Sequence, residues 1–312
     1  MDIIHNASKI NYTNGKTTVK NFKSTVNTMY QIASCSKFIT SLVVAKLYEL
    51  GKIDYDIDIN KYLKKWKCPK AGITLRHLLT HTSGSTDNNG YLGAEPQYKY
   101  VQNIELTIEI ISGQSYSKPF NVINKPGLKW QYSGAGFQVV QLVVESITGK
   151  HLYQLMDMYI FTPLNMLHST GKLLYGKKHK YKLADLQGLY RMYPETAAAG
   201  VWMSCGDLLK LNIDLIAGYH DDKSQILKQA TIKLIIRGEH PEWQKKYMNY
   251  GLGMFVGKHN GEKTFAHNGL NYGYSMHFHC LPEIKQVDIY MICYNPKYPD
   301  VWYKEAKRIL DL

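Results

Sequence analysis

The sequence predicts a mixed α/β (α+β) fold, in which an antiparallel sheet built from both ends of the chain is flanked by helices. Residues 1–33 read as extended segments with a turn at Asn14-Gly15, and strand-like segments resume from Tyr250. Helical periodicity dominates between them. Strands at both ends around a helical middle indicate one sheet with an insertion. We therefore expect a sheet domain of residues 1–33 and 245–312 and an inserted, mainly helical domain of residues 34–244.

The helices are predicted from apolar spacing and from stop signals. Gly51 and Gly149 follow two periodic segments, and Pro163 follows a third. Ser204 is expected to cap a further helix, with Asp207 as the acidic residue of a capping box. The predicted helices cover residues 34–51, 74–80, 137–147, 152–161, 208–216 and 301–312. The predicted strands of the second half cover residues 250–256, 264–267, 274–279 and 287–294.

Composition argues against two classes of protein. The 312 residues carry a net charge of +13, yet arginine, which base and phosphate recognition favours, occurs at only four positions. The basic clusters at residues 61–67 and 177–182 are typical of solvated faces. We expect no specific nucleic-acid partner, and binding of a polyanion is a rival supported by net charge alone. No run of about 18 apolar residues is present for a membrane span.

The cysteines and the first residues indicate an intracellular protein. The five cysteines are odd in number and form no Cys-x-x-Cys pair, which favours free thiols in a reducing compartment. The first residues lack a basic segment followed by an apolar stretch, so no signal peptide is expected. We expect a cytoplasmic or intracellular location.

The segment Ser34-Cys35-Ser36-Lys37 carries the strongest chemical signal. Residues three apart on a helix are neighbours, so the Ser34 hydroxyl and the Lys37 amine would share a face. A serine hydroxyl becomes a nucleophile when a base takes its proton, and a lysine held dry, with a depressed pKa, can do so. Ser34 is therefore the candidate nucleophile, at the junction of the two domains. An ordinary capped helix with a solvent-exposed lysine is the alternative.

The same four-residue pattern occurs again at Ser115-Tyr116-Ser117-Lys118. Pro119 follows at once and biases Lys118 away from helical geometry, so serine and lysine need not share a face there. The first copy instead continues into a long apolar-periodic segment. We therefore favour Ser34 over Ser115.

Further segments resemble the serine β-lactamase-related family, which contains class C β-lactamases, DD-carboxypeptidases and esterases. Residues 31–38 resemble its nucleophile motif, and residues 73–84 its helix-to-loop signature. Residues 126–134 resemble its Tyr-x-Asn region, residues 198–204 its glycine-rich segment, and His267-Asn268-Gly269 its third motif. The resemblance covers residues 28 to 280 and implies a β-lactamase/transpeptidase-like fold.

The resemblance implies a serine acyl hydrolase that acts on a small ester, amide or peptide through an acyl-enzyme on Ser34. Lys37 and Tyr132 would relay protons. The N–H groups of Leu270 and Ser34 would hold the oxyanion, and Gly269 would permit close approach of the substrate. No cofactor and no metal are expected. The residues expected to bind substrate or oxyanion are His267, Asn268, Gly269 and Leu270.

The Tyr-x-Asn pattern occurs at more than one position in the chain, and at the favoured position, Tyr132, its asparagine is replaced by Gly134. Tyr12-Thr13-Asn14 and Tyr247-Met248-Asn249 also fit it, but only Tyr132 is flanked by Pro-Gly and a tryptophan. Gly134 stands where many relatives carry asparagine. His267 replaces the lysine of class C β-lactamases and weakens fixed positive charge for a substrate carboxylate. We therefore expect small esters or peptides to be better substrates than penicillins.

Because histidine is plentiful, some of the histidines are candidate metal ligands. His77 and His81 are four residues apart but lack the glutamate of a zinc helix. His277, His279 and Cys280 would need ligands from elsewhere. No catalytic metal is expected. The aromatic residues that line either the cleft or the core are Trp202, Tyr272 and Tyr274.

Two features support a rival interpretation. Relatives carry a longer stretch before the nucleophile, so the sheet is expected to lack an edge element or the closing helix to stand alone on one face. Gly134 removes a side-chain amide from the expected site. A catalytically idle member of the family, which binds a ligand or assembles through its surface, is therefore the alternative. The sequence indicates no oligomeric state.

Overall fold

The computed structural model describes residues 3–85, 102–174, 181–184, 191–238, 248–298 and 300–312. The helices are α1 (Ser36–Glu49), α2 (Leu75–Leu79), α3 (Ile104–Ile111), α4 (Gly134–Thr148), α5 (Leu152–Met156), α6 (Cys205–Asp221), α7 (Gln229–Ile235) and α8 (Trp302–Leu310). The strands are β1 (Ile4–Thr13), β2 (Lys16–Phe22), β3 (Met29–Gln31), β4 (Ser169–Thr170), β5 (Trp202–Ser204), β6 (Met248–Tyr250), β7 (Phe255–His259), β8 (Glu262–Asn271), β9 (Tyr274–Leu281) and β10 (Gln286–Tyr294). The predicted fold class is confirmed.

Both ends of the chain meet in one seven-stranded sheet of order β2-β1-β10-β9-β8-β7-β6. β1 pairs antiparallel with β10, from Ile4 opposite Tyr294 to Thr13 opposite Gln286. The turn predicted at Asn14-Gly15 joins β1 to β2, and its two residues have φ values of 49° and 88°. Such left-handed turns match the twist of paired strands. The limits proposed for the two domains stay a prediction.

A second sheet, of order β3-β5-β4, was not expected. Its strands have two or three residues each, too few to give a periodic pattern. β3 leads directly into the segment with Ser34, and β5 leads into α6. This small sheet therefore fixes the position of the candidate nucleophile relative to the helices.

The main sheet lies between helices on both faces. On one face, Phe38 of α1 packs against Phe278, with ring centroids 4.8 Å apart, and against Phe265 at 6.2 Å. On the other face, Ala306 and Leu310 of α8 pack over β1 in a second buried cluster. The closing helix thus covers the β1 side of the sheet, and α1 covers the strands that carry the third sequence motif.

Several element boundaries differ from the prediction. The first helix begins at Ser36, and Ser34 lies in a 3-10 turn before it. The strand predicted over residues 250–256 is divided into β6 and β7 by a turn at residues 251–254. Gly253 in this turn has a φ of 91°, and a Cβ there would lie 2.5 Å from Ser41 Cβ, because the turn packs directly on α1. The strand-like sequence pattern continues through residues 251–254, where packing on α1 imposes a turn.

Of the two hydrogen bonds of the capping box predicted at Ser204, one is present in the structure. Ser204 Oγ accepts a hydrogen bond from Asp207 N at 3.2 Å, as expected of an N-cap. The Asp207 carboxylate instead accepts from His168 N at 2.7 Å and from Ser169 Oγ at 3.0 Å. A tertiary partner therefore takes the place of the reciprocal local bond. Two helices, α3 and α7, were also missing from the prediction.

In the described part of the chain, none of the helices is both long and apolar enough to cross a membrane.

Replacement of Phe278 by alanine tests the contact between α1 and the sheet. The ring is fully buried between Phe38 and Phe265, so Phe278→Ala should lower the free energy of unfolding by about 3–5 kcal/mol. Urea unfolding followed by tryptophan fluorescence measures this loss. Val19→Ala, on the exposed strand β2, should cost under about 1 kcal/mol. Equal losses in the two variants would contradict the packing described.

Candidate active site

Ser34 lies in a tight turn between β3 and α1. Ala33 at the start of this turn has a φ of 50°, a left-handed conformation that costs a residue other than glycine about 1–2 kcal/mol. The preceding residue is held in place, since Ile32 N donates to Val201 O at 3.0 Å. The turn presents the half-buried Ser34 just before the first turn of α1, where the helix dipole favours negative charge.

The amine of Lys37 lies next to the hydroxyl of Ser34. The side chain is fully buried, and Nζ lies 3.3 Å from Ser34 Oγ while donating to Ala198 O at 2.9 Å. The same nitrogen lies 4.8 Å from the ring centroid of Tyr132 and 5.6 Å from that of Phe137. Three residues predicted for catalysis, Ser34, Lys37 and Tyr132, thus come together around one amine.

The carbonyl of Ala198 is held by a turn that packs on α1. The N–H groups of Ala198 and Ala199 donate to Glu195 O at 3.1 Å and 2.9 Å. Thr40 Oγ1, one turn beyond Lys37 on α1, donates to Ala197 O at 3.0 Å. Ala198 is not among the site residues that the sequence predicts. The available signal was the run of small residues that resembles the glycine-rich segment of the family.

Tyr132 stands immediately before α4, beside a buried histidine. Ser133 caps the helix, because its Oγ accepts from Gly136 N at 3.0 Å. The His81 ring lies 4.2 Å from the Tyr132 ring, and its Nδ1 accepts from Ser133 N at 3.0 Å. Burial, followed by the charge of Lys37, holds the pKa of His81 well below its usual value. In the sequence, His81 belongs to the helix-to-loop motif and is spaced from His77 as a metal ligand would be, whereas in the structure its ring packs beside Tyr132.

Strand β8 passes against the turn that carries Ser34. A Cβ on Gly269 would lie 2.1 Å from Ile32 O and 3.0 Å from Ala33 Cβ, so a side chain there has no room. The predicted role of Gly269 was close approach of a substrate. The structure instead shows close approach of the protein's own backbone at this residue.

The backbone of Leu270 faces an open strand edge. Asn271 and Tyr274 flank the two-residue turn between β8 and β9, so they form a hydrogen-bonded pair. In the antiparallel alternation, Leu270 is then unpaired with β9, and its N–H points to the other edge. Within the described residues, β7 pairs with that edge only as far as Ala266. The Leu270 N–H therefore points away from β9, towards an edge at which the described residues provide no partner strand.

His267 is buried on the same face of β8 as Phe265. Its Nε2 lies 3.0 Å from Tyr250 Oη and its Nδ1 lies 2.6 Å from Asn268 O. Burial, followed by the charge of Lys37, lowers the pKa of His267 to about 3. The imidazole is therefore neutral at pH 7 and supplies hydrogen bonding without charge. Tyr250 was not identified as a site residue, since a tyrosine in a strand gives no signal of its own.

The side chain of Asn268 lies on the opposite face of β8. Its Oδ1 accepts from His277 Nδ1 at 3.3 Å across the paired strand. The Leu270 side chain is on the same face and is 64% exposed. Of the four strand residues predicted to bind substrate, Asn268 and Leu270 thus have their side chains on the face of β8 opposite to that of His267.

The alternative motif copies lie elsewhere. Residues 115–118 follow the end of α3 and are not helical, and Ser117 Oγ donates to Ile110 O at 3.1 Å. Lys118 is exposed. Tyr12 lies in β1, in the strand pair formed by the two ends of the chain. Tyr247 lies outside the described residues.

Among the residues that the structure describes, no three histidine, cysteine or acidic side chains are grouped so as to hold a metal ion. His77 Nδ1 accepts from Thr74 N at 3.3 Å and caps α2. Cys280 is fully buried in the core, whereas His277 packs at 5.4 Å from the ring of Tyr290. Trp202 and Tyr274 are core residues with centroids 5.5 Å apart, and Tyr272 is exposed at the tip of the β8–β9 turn.

An antiparallel sheet joined to a helical part, with a serine–lysine pair next to strand β8, is the arrangement that the structure shows. The sequence model of the family described as Beta-lactamase matches residues 3–301, so the chain belongs to the β-lactamase family.

Three known proteins illustrate the similarity. A putative D-alanyl-D-alanine carboxypeptidase of Escherichia coli O157:H7 is 25% identical, over 78% of this chain and 62% of its own length. Penicillin-binding protein 4* of Bacillus subtilis (strain 168) is 29% identical, over 45% of this chain and 30% of its own. The chain thus spans less than two thirds of these curated relatives. The crystal structure of a D-amino acid amidase from Ochrobactrum anthropi SV3 shares the fold, with a TM-score of 0.76, 18% identity and coverage of 99% of this chain and 92% of that chain.

The burial of His267 should make stability depend on pH. Below pH 6.5 the unfolded chain binds a proton at this imidazole, but the folded state, with a pKa of about 3, does not. Stability from this group is therefore present above pH 6.5 and falls as the pH drops towards 3. The stability advantage of the unmodified protein over His267→Gln should shrink by about 2 kcal/mol between pH 7 and pH 5.

Urea unfolding at pH 5, 6 and 7 measures this difference. Val19→Ala changes no titrating group, so its difference from the unmodified protein should stay constant over the same range. A constant difference for His267→Gln as well would mean that the folded protein accepts the proton.

Proposed function

We propose that the protein is a serine acyl hydrolase that cleaves a small ester, amide or peptide through an acyl-enzyme on Ser34. The observation that carries this proposal is the fully buried Lys37 amine 3.3 Å from Ser34 Oγ. Membership of the β-lactamase family supports it, as do relatives named as a carboxypeptidase and an amidase. The rival, an idle family member, would not need a buried amine directed at a serine hydroxyl.

Acylation begins from the neutral amine form of Lys37, which accepts the Ser34 hydroxyl proton and becomes an ammonium group. The Ser34 oxygen then bonds to the substrate carbonyl carbon, and the carbonyl oxygen becomes an oxyanion. In this proposal the N–H groups of Ser34 and Leu270 stabilise that oxygen, and the close packing of β8 on the Ser34 turn at Gly269 supports this assignment. Removing a donor of this kind costs about 10²- to 10³-fold in rate.

Collapse of this intermediate expels the leaving group, which needs a proton. The Tyr132 ring lies 4.8 Å from Lys37 Nζ, and its phenol passes the proton from Lys37 to the leaving group. Water then attacks the acyl-enzyme through the same groups in reverse. The carboxylic acid leaves, and Ser34 recovers its proton.

Two features favour esters and small amides over penicillins. His267 is neutral, so the cleft offers a penicillin carboxylate a hydrogen bond without a charge. Gly134, at the start of α4, offers only backbone where relatives present an amide side chain. Both changes weaken substrate anchoring without removing a group of the proton relay.

Covalent labelling tests the nucleophile. A fluorophosphonate should add to Ser34, because only this serine has a buried amine beside it among the two motif copies. Intact mass and peptide mapping should show one adduct, which Ser34→Ala abolishes and Ser115→Ala leaves unchanged. Labelling that persists in Ser34→Ala would refute the assignment.

The same labelling experiment distinguishes loss of the proton relay from loss of the folded structure. Lys37→Met and Tyr132→Phe retain the serine and should slow labelling by about 10²- to 10⁴-fold. Circular dichroism checks that both variants are folded. An unchanged rate in Tyr132→Phe would remove the phenol from the mechanism.

Substrate preference tests the role of His267. The kcat/KM for p-nitrophenyl acetate should exceed that for benzylpenicillin at pH 7, because the cleft has no charge at His267 for the penicillin carboxylate. His267→Lys should shift the ratio towards the penicillin. A preference for penicillin in the unmodified protein would show that another group binds the anion.

A further inference from the structure

Helix α4 carries a buried polar side chain, Gln141, that reaches the turn behind the Lys37 amine. The other buried residues of this helix are mostly apolar. Gln141 Oε1 accepts a hydrogen bond from Ala197 N at 3.0 Å. Ala197 directly precedes Ala198, whose carbonyl accepts from Lys37 Nζ at 2.9 Å. Gln141 therefore binds the turn one residue before the carbonyl that holds the amine.

The same turn is fixed to two other elements of the site. Thr40 of α1 donates to Ala197 O at 3.0 Å, and Asn271 at the end of β8 donates to Ala199 O at 3.2 Å. Gln141 adds a bond from α4. The turn is thus attached to the helix that carries Lys37, to the strand that carries the third sequence motif and to α4.

Helix α4 also positions aromatic rings beside the amine. It begins directly after Tyr132 and Ser133, and the rings of Tyr132 and Phe137 lie 4.8 Å and 5.6 Å from Lys37 Nζ. Gln141 follows the start of α4 by about two turns. Because a helix is rigid over this length, the bond from Gln141 fixes the carbonyl turn relative to the entry of α4. One helix therefore relates the acceptor of the amine to the phenol of the proposed relay.

Two further neighbours set the orientation of the Gln141 amide. Its Nε2 donates to Thr107 Oγ1 at 3.2 Å and to Glu145 Oε1 at 3.3 Å. Glu145 Oε1 also accepts from Leu152 N at 3.0 Å. Only the amide nitrogen can serve these two acceptors, so the amide oxygen must face Ala197 N. The hydrogen-bonding groups of Gln141 are therefore all used in one orientation.

Glu145 supports this orientation in both of its protonation states. The carboxyl is buried, and burial raises its pKa to about 7. Its Oε2 has no hydrogen-bond partner among the residues that the structure describes. A proton on Oε2 leaves Oε1 free to accept from Gln141 and from Leu152 N. Neither state requires the Gln141 amide to turn.

We propose that Gln141 is a positioning residue for acylation, which holds the turn at Ala197 so that the Ala198 carbonyl keeps the Lys37 amine next to the Ser34 hydroxyl. This inference rests on the proposed acyl hydrolase function. Gln141 acts through the turn, whereas Lys37 acts on the reacting atoms. A displacement of about 1 Å of a catalytic group can cost about 10²-fold in rate.

Two glutamine-to-leucine variants on α4 test this role. Gln141→Leu removes the bond to Ala197 N, so fluorophosphonate labelling at saturating reagent should slow by about 10- to 10²-fold, with little change in the half-saturating concentration. Gln138 is buried on the same helix, and its amide has no hydrogen-bond partner among the described residues. Gln138→Leu should label as the unmodified protein does. An unchanged rate in folded Gln141→Leu would overturn the proposal.

An exchange of side chains tests whether the hydrogen bonds themselves matter. In Gln141→Glu with Glu145→Gln, the carboxylate at position 141 can accept from Ala197 N, and the amide at position 145 can donate to that carboxylate and accept from Leu152 N. This double variant should recover most of the rate lost in Gln141→Leu, and it carries the test if Gln141→Leu does not fold. A folded exchange variant that labels as slowly as Lys37→Met would contradict the role.

Removal of the amine should remove the effect of Gln141. If the side chain acts through Lys37, the variant Lys37→Met with Gln141→Leu should label at the rate of Lys37→Met alone, within about twofold. Losses that multiply would mean that Gln141 supports the fold in general, and the positioning role would be wrong.

Hydrogen exchange separates this inference from the proposed function, because it does not depend on activity. The N–H groups of Ala198 and Ala199 donate to Glu195 O within the turn. Their protection should fall by about 5- to 10-fold in Gln141→Leu, the value of about one hydrogen bond, and should stay unchanged in Gln138→Leu. Reduced protection without any labelling of Ser34 in the unmodified protein would refute the hydrolase and keep Gln141 as the anchor of the turn. Labelled Ser34 with unchanged protection and rate in Gln141→Leu would do the opposite.

Discussion

The structure depends above all on the burial of the Lys37 amine. An amine taken out of water without partners is very costly, so the surrounding elements must supply them. Ala198 O accepts a hydrogen bond, Ser34 Oγ lies within reach, and the rings of Tyr132 and Phe137 face the nitrogen. These partners come from three separate stretches of the chain, which are the Ser34 turn, the segment after Glu195 and the entry to α4. The amine thus holds together the Ser34 turn, the segment after Glu195, the entry to α4 and α1 itself.

A second constraint presses the sheet against the Ser34 turn. Gly269 cannot carry a side chain because Ile32 O occupies that space, and Gly200 is similarly closed by Tyr193 O at 2.3 Å from a Cβ position. Ala33 adopts a left-handed φ between these contacts. Such strain persists only where surrounding structure fixes it, and it is typical of functional sites. Gly269 permits the close approach of β8 to the turn that carries Ser34, and Gly200 permits the tight turn after Tyr193.

The charges around the amine are arranged by burial. His81 and His267 are kept neutral mainly because both rings are out of water, and the nearby Lys37 opposes a further positive charge. Burial also raises the pKa of Glu195 to about 7, although Tyr116 donates to its carboxylate at 2.6 Å. Glu195 begins the turn that presents Ala198 O. Among the described residues, the surroundings of the Lys37 amine therefore contain several polar groups but few fixed charges.

The sequence by itself determined the features that depend on short-range pattern. Gly51 and Gly149 ended helices, Asn14-Gly15 made the hairpin, and Ser34 and Lys37 were paired by a spacing of three residues. Tertiary structure alone decided where backbone groups meet. The second sheet, the carbonyl of Ala198 and the ring of Tyr250 gave no periodic signal, because their partners are distant in the chain. Asn268 was named from a motif, but strand alternation turned its side chain to the other face. A motif specifies residue types and their spacing, and only packing determines the direction in which the side chains point.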